Sequence, residues 1–300
     1  MPIPEDSGRP LTALVTGASS GIGRATAVQL GERGARVVLV ARGRESLEAA
    51  ADEVRAAGAT AVTVCPADVL DEDAVGAVVA ATVAEHGRLD VVVHAAQVMA
   101  YGRIEDVPKE VYERVVDTSL HGTATVARHV LPVFRRQHAG HLVIVNSLLG
   151  NVTTPVLGSY AVAKWGQLAL ARVLQQETRD EPGISVSIVQ PGGVNTPIYS
   201  QAASWAGTTG RPPPPAYSPQ RVARRVLATL DSPRRVVQAG LLNPLITAGF
   251  RLLPGVYDVL VEPLLRRLAL AADAPTGPTE GNVFRSNPDG NATEGRWRSI

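Results

Sequence analysis

Apolar, β-branched runs alternate with stretches of helical periodicity along most of this chain. Residues 11–16 read as a strand apolar enough to be buried on both faces, 23–33 as a helix closed by Gly34, and 37–40 as the next strand. Leu47, Ala50, Ala51 and Val54 recur at helical spacing, and Gly58 stands where a helix end favours a left-handed residue. A strand over 61–65 follows, then a helix capped by Asp71 and carrying Val75, Val78, Val79 and Val83. After Gly87 the pattern continues with a strand over 89–94, a helix over 111–136, a strand over 142–145, a helix over 160–179 and a strand over 184–189. Strands that are apolar throughout and separated by helices predict an α/β fold: a Rossmann-like, doubly wound parallel sheet in three α/β/α layers.

Size and charge narrow the partners. With 300 residues the chain can bury a sizeable core, and we divide it into a catalytic domain over 1–240 and a C-terminal extension over 241–300. A formal charge of +1, with acids and bases spread along the chain, leaves no electrostatic footprint for nucleic acid and points to a small-molecule partner. The single cysteine, Cys65, lies in an apolar run and reads as a buried strand residue. Residues 1–6 are polar and acidic and lack the basic-then-apolar order of a secretory signal, so a cytoplasmic protein is expected. No uninterrupted apolar stretch reaches the roughly 20 residues that a spanning helix needs.

Candidate chemistry collects where strands end. Directly after the first strand comes Thr16-Gly17-Ala18-Ser19-Ser20-Gly21-Ile22-Gly23, which opens the first helix. Glycines there let the backbone approach a pyrophosphate, whose charge is stabilised by the free amides and dipole of the helix N-terminus. The second strand ends in Val40-Ala41-Arg42, where Ala41 cannot accept from a ribose hydroxyl and Arg42 can fork onto a 2′-phosphate. NADP(H) is therefore preferred, with NAD(H) also possible. Asp68, after the third strand, reads equally as an acceptor for the adenine amino group or as a turn residue. Ser147 follows a strand, and Tyr160 and Lys164 stand four apart on one helix face. A neighbouring ammonium and the nicotinamide charge would lower the phenol pKa, so that Tyr160 exchanges a proton with a carbonyl or alcohol oxygen that Ser147 also hydrogen-bonds. No metal is called for.

These residues in this order resemble the short-chain dehydrogenase/reductase superfamily, in the subgroup with a Thr-Gly-x-x-x-Gly-x-Gly loop and a Tyr-x-x-x-Lys pair. The resemblance spans roughly residues 10–240. It implies an NAD(P)-dependent oxidoreductase in which Ser147, Tyr160 and Lys164 are catalytic and Lys164 also holds the nicotinamide ribose. It implies further that Gly17, Ser19, Ser20, Gly21, Ile22, Gly23, Arg42, Asp68, Val69, Ala95, Ala96, Tyr160, Lys164, Pro191, Gly192, Val194 and Thr196 bind the cofactor. Val194 and Thr196 are assigned to the carboxamide, Asp68 and Val69 to the adenine. Two positions depart from the pattern. Ser119 occupies the slot of an asparagine that completes the family's catalytic tetrad and is the fourth catalytic candidate, its hydroxyl still able to donate and accept, and Gln97 stands where the family has glycine. His94 reads as a packed strand-end residue. The alternative is a non-catalytic nicotinamide-binding sensor or scaffold with the same fold; an epimerase or dehydratase is disfavoured by the glycine spacing.

Between 197 and 217 the chain is rich in turn formers and reads as a substrate lid, whose Ile198, Tyr199, Trp205 and Tyr217 suggest a hydrophobic substrate. Ser218 caps a helix with Pro219 at its first position, Val222, Val226, Leu227 and Leu230 form its stripe, and a last strand covers 234–239. Residues 241–270 are strongly apolar, broken at Pro254 and Pro263 and edged by Arg251, Arg266 and Arg267. This stretch reads as a pocket cover or a contact in a homo-oligomer, with peripheral membrane attachment as the alternative. The tail over 271–300 is expected to be loosely ordered and without chemistry.

Overall fold

The computed structural model describes residues 9–300; the acidic stretch 1–6 lies outside the described residues. In chain order the elements are β1 (Thr12–Thr16), α1 (Gly21–Glu32), β2 (Arg36–Ala41), α2 (Arg44–Ala56), β3 (Ala61–Pro66), α3 (Glu72–His86) and β4 (Val91–His94). Then come β5 (Ala100–Tyr101), α4 (Lys109–Gln137), β6 (Gly140–Val145), α5 (Gly158–Glu177), β7 (Ile184–Pro191), β8 (Ala203–Ser204) and β9 (Thr208–Gly210). The chain continues through α6 (Pro219–Asp231), β10 (Val236–Ala239), α7 (Asn243–Leu252), α8 (Pro254–Leu268) and β11 (Leu270–Pro275).

Seven strands form one parallel sheet in the order β10-β7-β6-β4-β1-β2-β3. Their apolar character at every position has a direct cause. Ala13 and Val15 enter the core on one face and Leu14 the core on the other; Val37 and Leu39 are likewise opposed to Val38 and Val40. Helices cover both faces, so neither set of alternating side chains meets water. Strand β1 pairs with β2 on one side and β4 on the other, so the chain changes direction at this point and opens a crevice at the carboxyl ends of the strands.

Local signals hold at the helix starts. Asp71 accepts from the Ala74 amide at 2.9 Å, and Ser218 accepts from that of Arg221 at 3.3 Å with Pro219 at the first turn. Three expectations need correction. Cys65 is only half-buried, because β3 is the last strand of the sheet and has no neighbour on its far side. Pro263 does not break α8 but sits within it on an exposed side, where the carbonyl left without a donor can face water.

The third correction concerns the tail. It is structured: β11 pairs antiparallel with β9, Thr279 and Ser204 exchange backbone bonds at 3.0 and 2.8 Å, and the Ile300 amide donates to Ala216 O at 2.9 Å. Its turn-forming residues are satisfied by distant backbone partners, which a reading of local propensity does not see.

Candidate active site

The loop between β1 and α1 is folded tightly against the end of β4. Gly17 has φ +68°, and a Cβ there would stand 2.7 Å from the backbone of Ala95 and Ala96. At Gly23 a Cβ would come within 2.3 Å of the Gly17 carbonyl oxygen. The cradle therefore keeps backbone amides at the surface of the crevice, a fit to a dinucleotide pyrophosphate. Thr16 fixes the opposite wall: its hydroxyl oxygen accepts from the amides of Ala95 and Ala96 at 3.2 and 3.3 Å and meets Nδ1 of the fully buried His94 at 2.9 Å. Burial pulls the His94 pKa down to about 3, so the ring is a neutral packing element.

A cavity of about 590 Å³ runs from this cradle across the sheet edge. The structure brings to it Gly17, Ser19, Ser20, Gly21, Ile22, Gly23, Arg42, Asp68, Val69, Ala95 and Ala96 at one end, and Pro191, Gly192, Val194 and Thr196 along its wall. Ser147, Tyr160 and Lys164 face the same space. Arg114 of α4, which sequence reading did not single out, also lines it and forms an ion pair with Asp68, whose other oxygen accepts from the Leu70 amide at 3.1 Å. Asp68 therefore carries a structural load besides any role toward a base.

Ser147 lies at the end of β6 and Tyr160 near the start of α5. Burial pushes the Tyr160 phenol up to about 12, with the Ser147 hydroxyl pulling it back. Lys164, 2% exposed, stands 5.7 Å from the centroid of the Tyr160 ring, and burial brings its ammonium down to about 7. Its Nζ donates to Val145 O at 3.1 Å and to Gln167 Oε1 at 3.0 Å.

Gln167 is a second residue that sequence reading missed. It is fully buried, its Oε1 also accepts from Asn146 Nδ2 at 3.0 Å, and its Nε2 donates to Thr123 Oγ1 at 2.9 Å and Ser119 O at 3.3 Å. A glutamine three positions beyond Lys164, at a spacing that puts both on one helix face, was the available signal in the sequence. Ser119 is buried in α4 beside Gln97. Its hydroxyl donates to Gln97 Oε1, while Gln97 Nε2 donates to Val98 O at 2.6 Å. The two departures from the family pattern thus satisfy each other, and the side chain of Gln167 links Lys164 to the Ser119 backbone.

The far end of the cavity is apolar. Ile198 and Tyr199 of the lid line it, together with Ile246 of α7 and Val256, Leu260 and Leu264 of α8. Trp205 packs instead with Val98, Val107 and Val111, and Tyr217 is buried, with its hydroxyl accepting from the Leu241 amide at 2.9 Å. Only half of the aromatic and aliphatic lid residues expected at the substrate therefore reach it.

Known proteins are similar to this chain in sequence and fold. The family described as short chain dehydrogenase matches residues 11–207. The uncharacterized oxidoreductase YxnA of Bacillus subtilis (strain 168) is 31% identical over 282 residues, covering 90% of this chain and 76% of that protein. A metagenomic short-chain oxidoreductase solved in complex with NADP has a TM-score of 0.66 at 29% identity, over 77% of this chain and 96% of that one. An alcohol dehydrogenase from the archaeon Thermococcus sibiricus, complexed with 5-hydroxy-NADP, has a TM-score of 0.67 at 27% identity, over 78% of this chain and 96% of that one. With its seven-stranded sheet and its serine, tyrosine and lysine gathered at one crevice, the chain belongs to the short-chain dehydrogenase/reductase family of NAD(P)-dependent oxidoreductases.

Proposed function

We propose that this protein interconverts a carbonyl and an alcohol on a small hydrophobic substrate, with NADP(H) as the hydride carrier and Tyr160 as the proton donor or acceptor. One observation carries the proposal: Tyr160, Ser147 and Lys164 line the same cavity as the glycine cradle, and the far end of that cavity, beside the lid and α8, is apolar. When bound, the nicotinamide supplies or accepts the hydride at the substrate carbon.

Every other step falls to the chain. Ser147 holds the substrate oxygen by a hydrogen bond and stabilises the charge that develops on it. The Tyr160 hydroxyl delivers or takes the proton at that oxygen. Lys164 holds positive charge below the phenol ring and favours its ionised form, an effect that needs the ammonium protonated. The Gln167 amide holds the lysine in place. Arg42, with no acid at position 41 to bind an unphosphorylated ribose, favours the 2′-phosphate; two neighbours of this fold that bind NADP or a derivative agree with that preference.

We treat 1–240 as the catalytic domain, with its lid over 197–217, and 241–300 as its cover. Val256, Leu260 and Leu264, which line the cavity, are themselves 49–55% exposed, and Leu245, Leu252 and Val259 are 70–76% exposed. That exposed apolar surface suits a second subunit of a homo-oligomer, with a membrane surface as the alternative; no helix among the described residues is long and apolar enough to cross a membrane. A cytoplasmic location and a small-molecule partner, with no nucleic acid, complete the reading.

The test is a scan of aldehydes, ketones and secondary alcohols with the purified protein and each nicotinamide cofactor. Turnover that requires NADP(H) and disappears in Tyr160→Phe supports the proposal. Tight cofactor binding with no Tyr160-dependent turnover on any of them leaves the sensor or scaffold reading instead.

A further inference from the structure

The segment that follows β11 crosses the opening of the crevice. Arg42 donates from Nη1 to Val283 O at 2.7 Å and from Nη2 to Asn282 O at 2.5 Å. Val283 is fully buried among Val98, Ala100 and Val107, which anchors this stretch in the core of the catalytic domain. Further on, the Gly21 amide at the start of α1 donates to Ala292 O at 3.0 Å. Asn291 is tied to both rims: its Nδ2 donates to Ser46 Oγ in α2 at 2.8 Å, and its Oδ1 accepts from Gln201 Nε2 in the lid at 3.1 Å. Asn282 Nδ2 donates to Gln201 Oε1 at 2.7 Å.

We propose that residues 282–292 form a strap over the adenosine and pyrophosphate end of the cofactor groove, completing its outer wall, orienting Arg42 and slowing release of the bound dinucleotide. The inference rests on reading the crevice as the NADP(H) site. Three features distinguish a strap from a plug. Asn282, Ser286, Asn287 and Asn291 line the same cavity as Ser19, Arg42 and Asp68, so space remains beneath the segment. The tail takes only the Gly21 amide at the opening of α1; among the described residues no backbone acceptor meets the amides of Ile22 and Gly23, which stay free for an anion. Arg42 has five N–H donors, and two carbonyls leave three for a phosphate.

The physical consequence follows from preorganisation. An arginine on an open loop loses rotamer freedom when it grips a phosphate, whereas one already held by two carbonyls has met that cost in folding. A buried polar atom points the same way: Asn282 Oδ1 has no donor among the described residues. A bound nucleotide brings hydroxyl and amino donors to this end of the groove.

Stopped-flow dissociation and equilibrium titration of NADPH, followed by its fluorescence, test the strap. They are run on the full chain, on a chain ending at Glu280 and on Asn291→Ala, each checked for folding by its cofactor-free melting curve. The shortened chain is expected to release NADPH about 10-fold faster or more, and to lose part of its NADPH-over-NADH preference because Arg42 is freed. Asn291→Ala, which removes one staple on each rim, is expected to release it about 3-fold faster. Unchanged release, or tighter binding on shortening, overturns the strap and makes the tail inert or a competitor. If the shortened chain does not fold, Asn291→Ala decides: a release rate equal to that of the full chain overturns the proposal. Should the full chain prefer NADH, the NADP(H) reading fails, while the release of NADH from the same variants still decides the strap.

Discussion

The Lys164 ammonium donates at 3.0 Å to Oε1 of Gln167, a side chain with no exposed surface that in turn reaches Asn146, Thr123 and the backbone of Ser119. In a low-dielectric interior, removing a shared acceptor leaves several donors unmet, at about 1–3 kcal/mol for each buried group. Gln167→Leu is therefore expected to lower kcat about 10-fold or more, through misplacement of Lys164, with a smaller change in KM. Gln167→Glu sets a negative charge beside the ammonium, raises the lysine pKa and moves the basic limb of the pH-rate profile to higher pH. Paired kcat and KM measurements across pH separate this positioning role from a loss of folded protein, which would leave the profile unmoved.

Tyr160→Phe removes the proton that the substrate oxygen exchanges and keeps the ring. Its kcat should fall by about 10²–10⁴, with cofactor affinity nearly unchanged. Ser147→Ala should cost about 10²–10³, since it deletes a donor to the developing oxyanion. Steady-state kinetics with the best substrate, alongside a cofactor titration, check both; equal activity of Tyr160→Phe removes the proposed proton step.

Cofactor-free stability should depend on pH through Lys164. Its folded pKa, about 7, lies below the ordinary lysine value of 10.5, so from pH 7 to 10.5 the unfolded chain binds more protons than the folded one. Stability from this group therefore rises with pH across that window, and the cost of the buried charge is fully present below pH 7. Melting temperatures between pH 7 and 9.5, below the titration of unfolded tyrosines, should climb in the native chain by an increment that Lys164→Met lacks. Parallel curves for the two proteins would sink this account.

Arg42→Ala tests the cofactor preference directly. Hydrogen bonds to charged groups are worth about 1.5–3 kcal/mol, so the variant should lose about 10- to 100-fold of its NADPH affinity while NADH binding changes little. Isothermal titration with the two cofactors reads the ratio. An equal loss for both would place Arg42 away from the 2′-phosphate.

Partnered departures from the family pattern carry their own test. Ser119 and Gln97 are joined side chain to side chain, so Ser119→Ala and Gln97→Ala should not add. A double-mutant cycle in melting free energy is expected to show a coupling of about 0.5–3 kcal/mol. Additive losses would mean that the two substitutions tolerate each other without interacting.

The sequence by itself determined whatever depends on neighbours in the chain. Strand runs apolar at every position declare a sheet covered on both faces; Asp71 and Ser218 cap their helices through amides three residues on; Tyr160 and Lys164 share a face because a helix turns every 3.6 residues. Only the tertiary structure decided what depends on residues far apart. Nothing local marks β3 as the end of the sheet, pairs Asp68 with Arg114, or lets Gln97 and Ser119 satisfy each other's polar groups. The tail is the clearest case: Arg42 meets Val283 across 241 positions, and residues whose propensities predict disorder are ordered by long-range, partly buried hydrogen bonds and one buried valine. Local propensity is worth tenths of a kcal/mol per residue, and a burial or a satisfied polar group is worth about 1–3, so packing prevails wherever the two disagree.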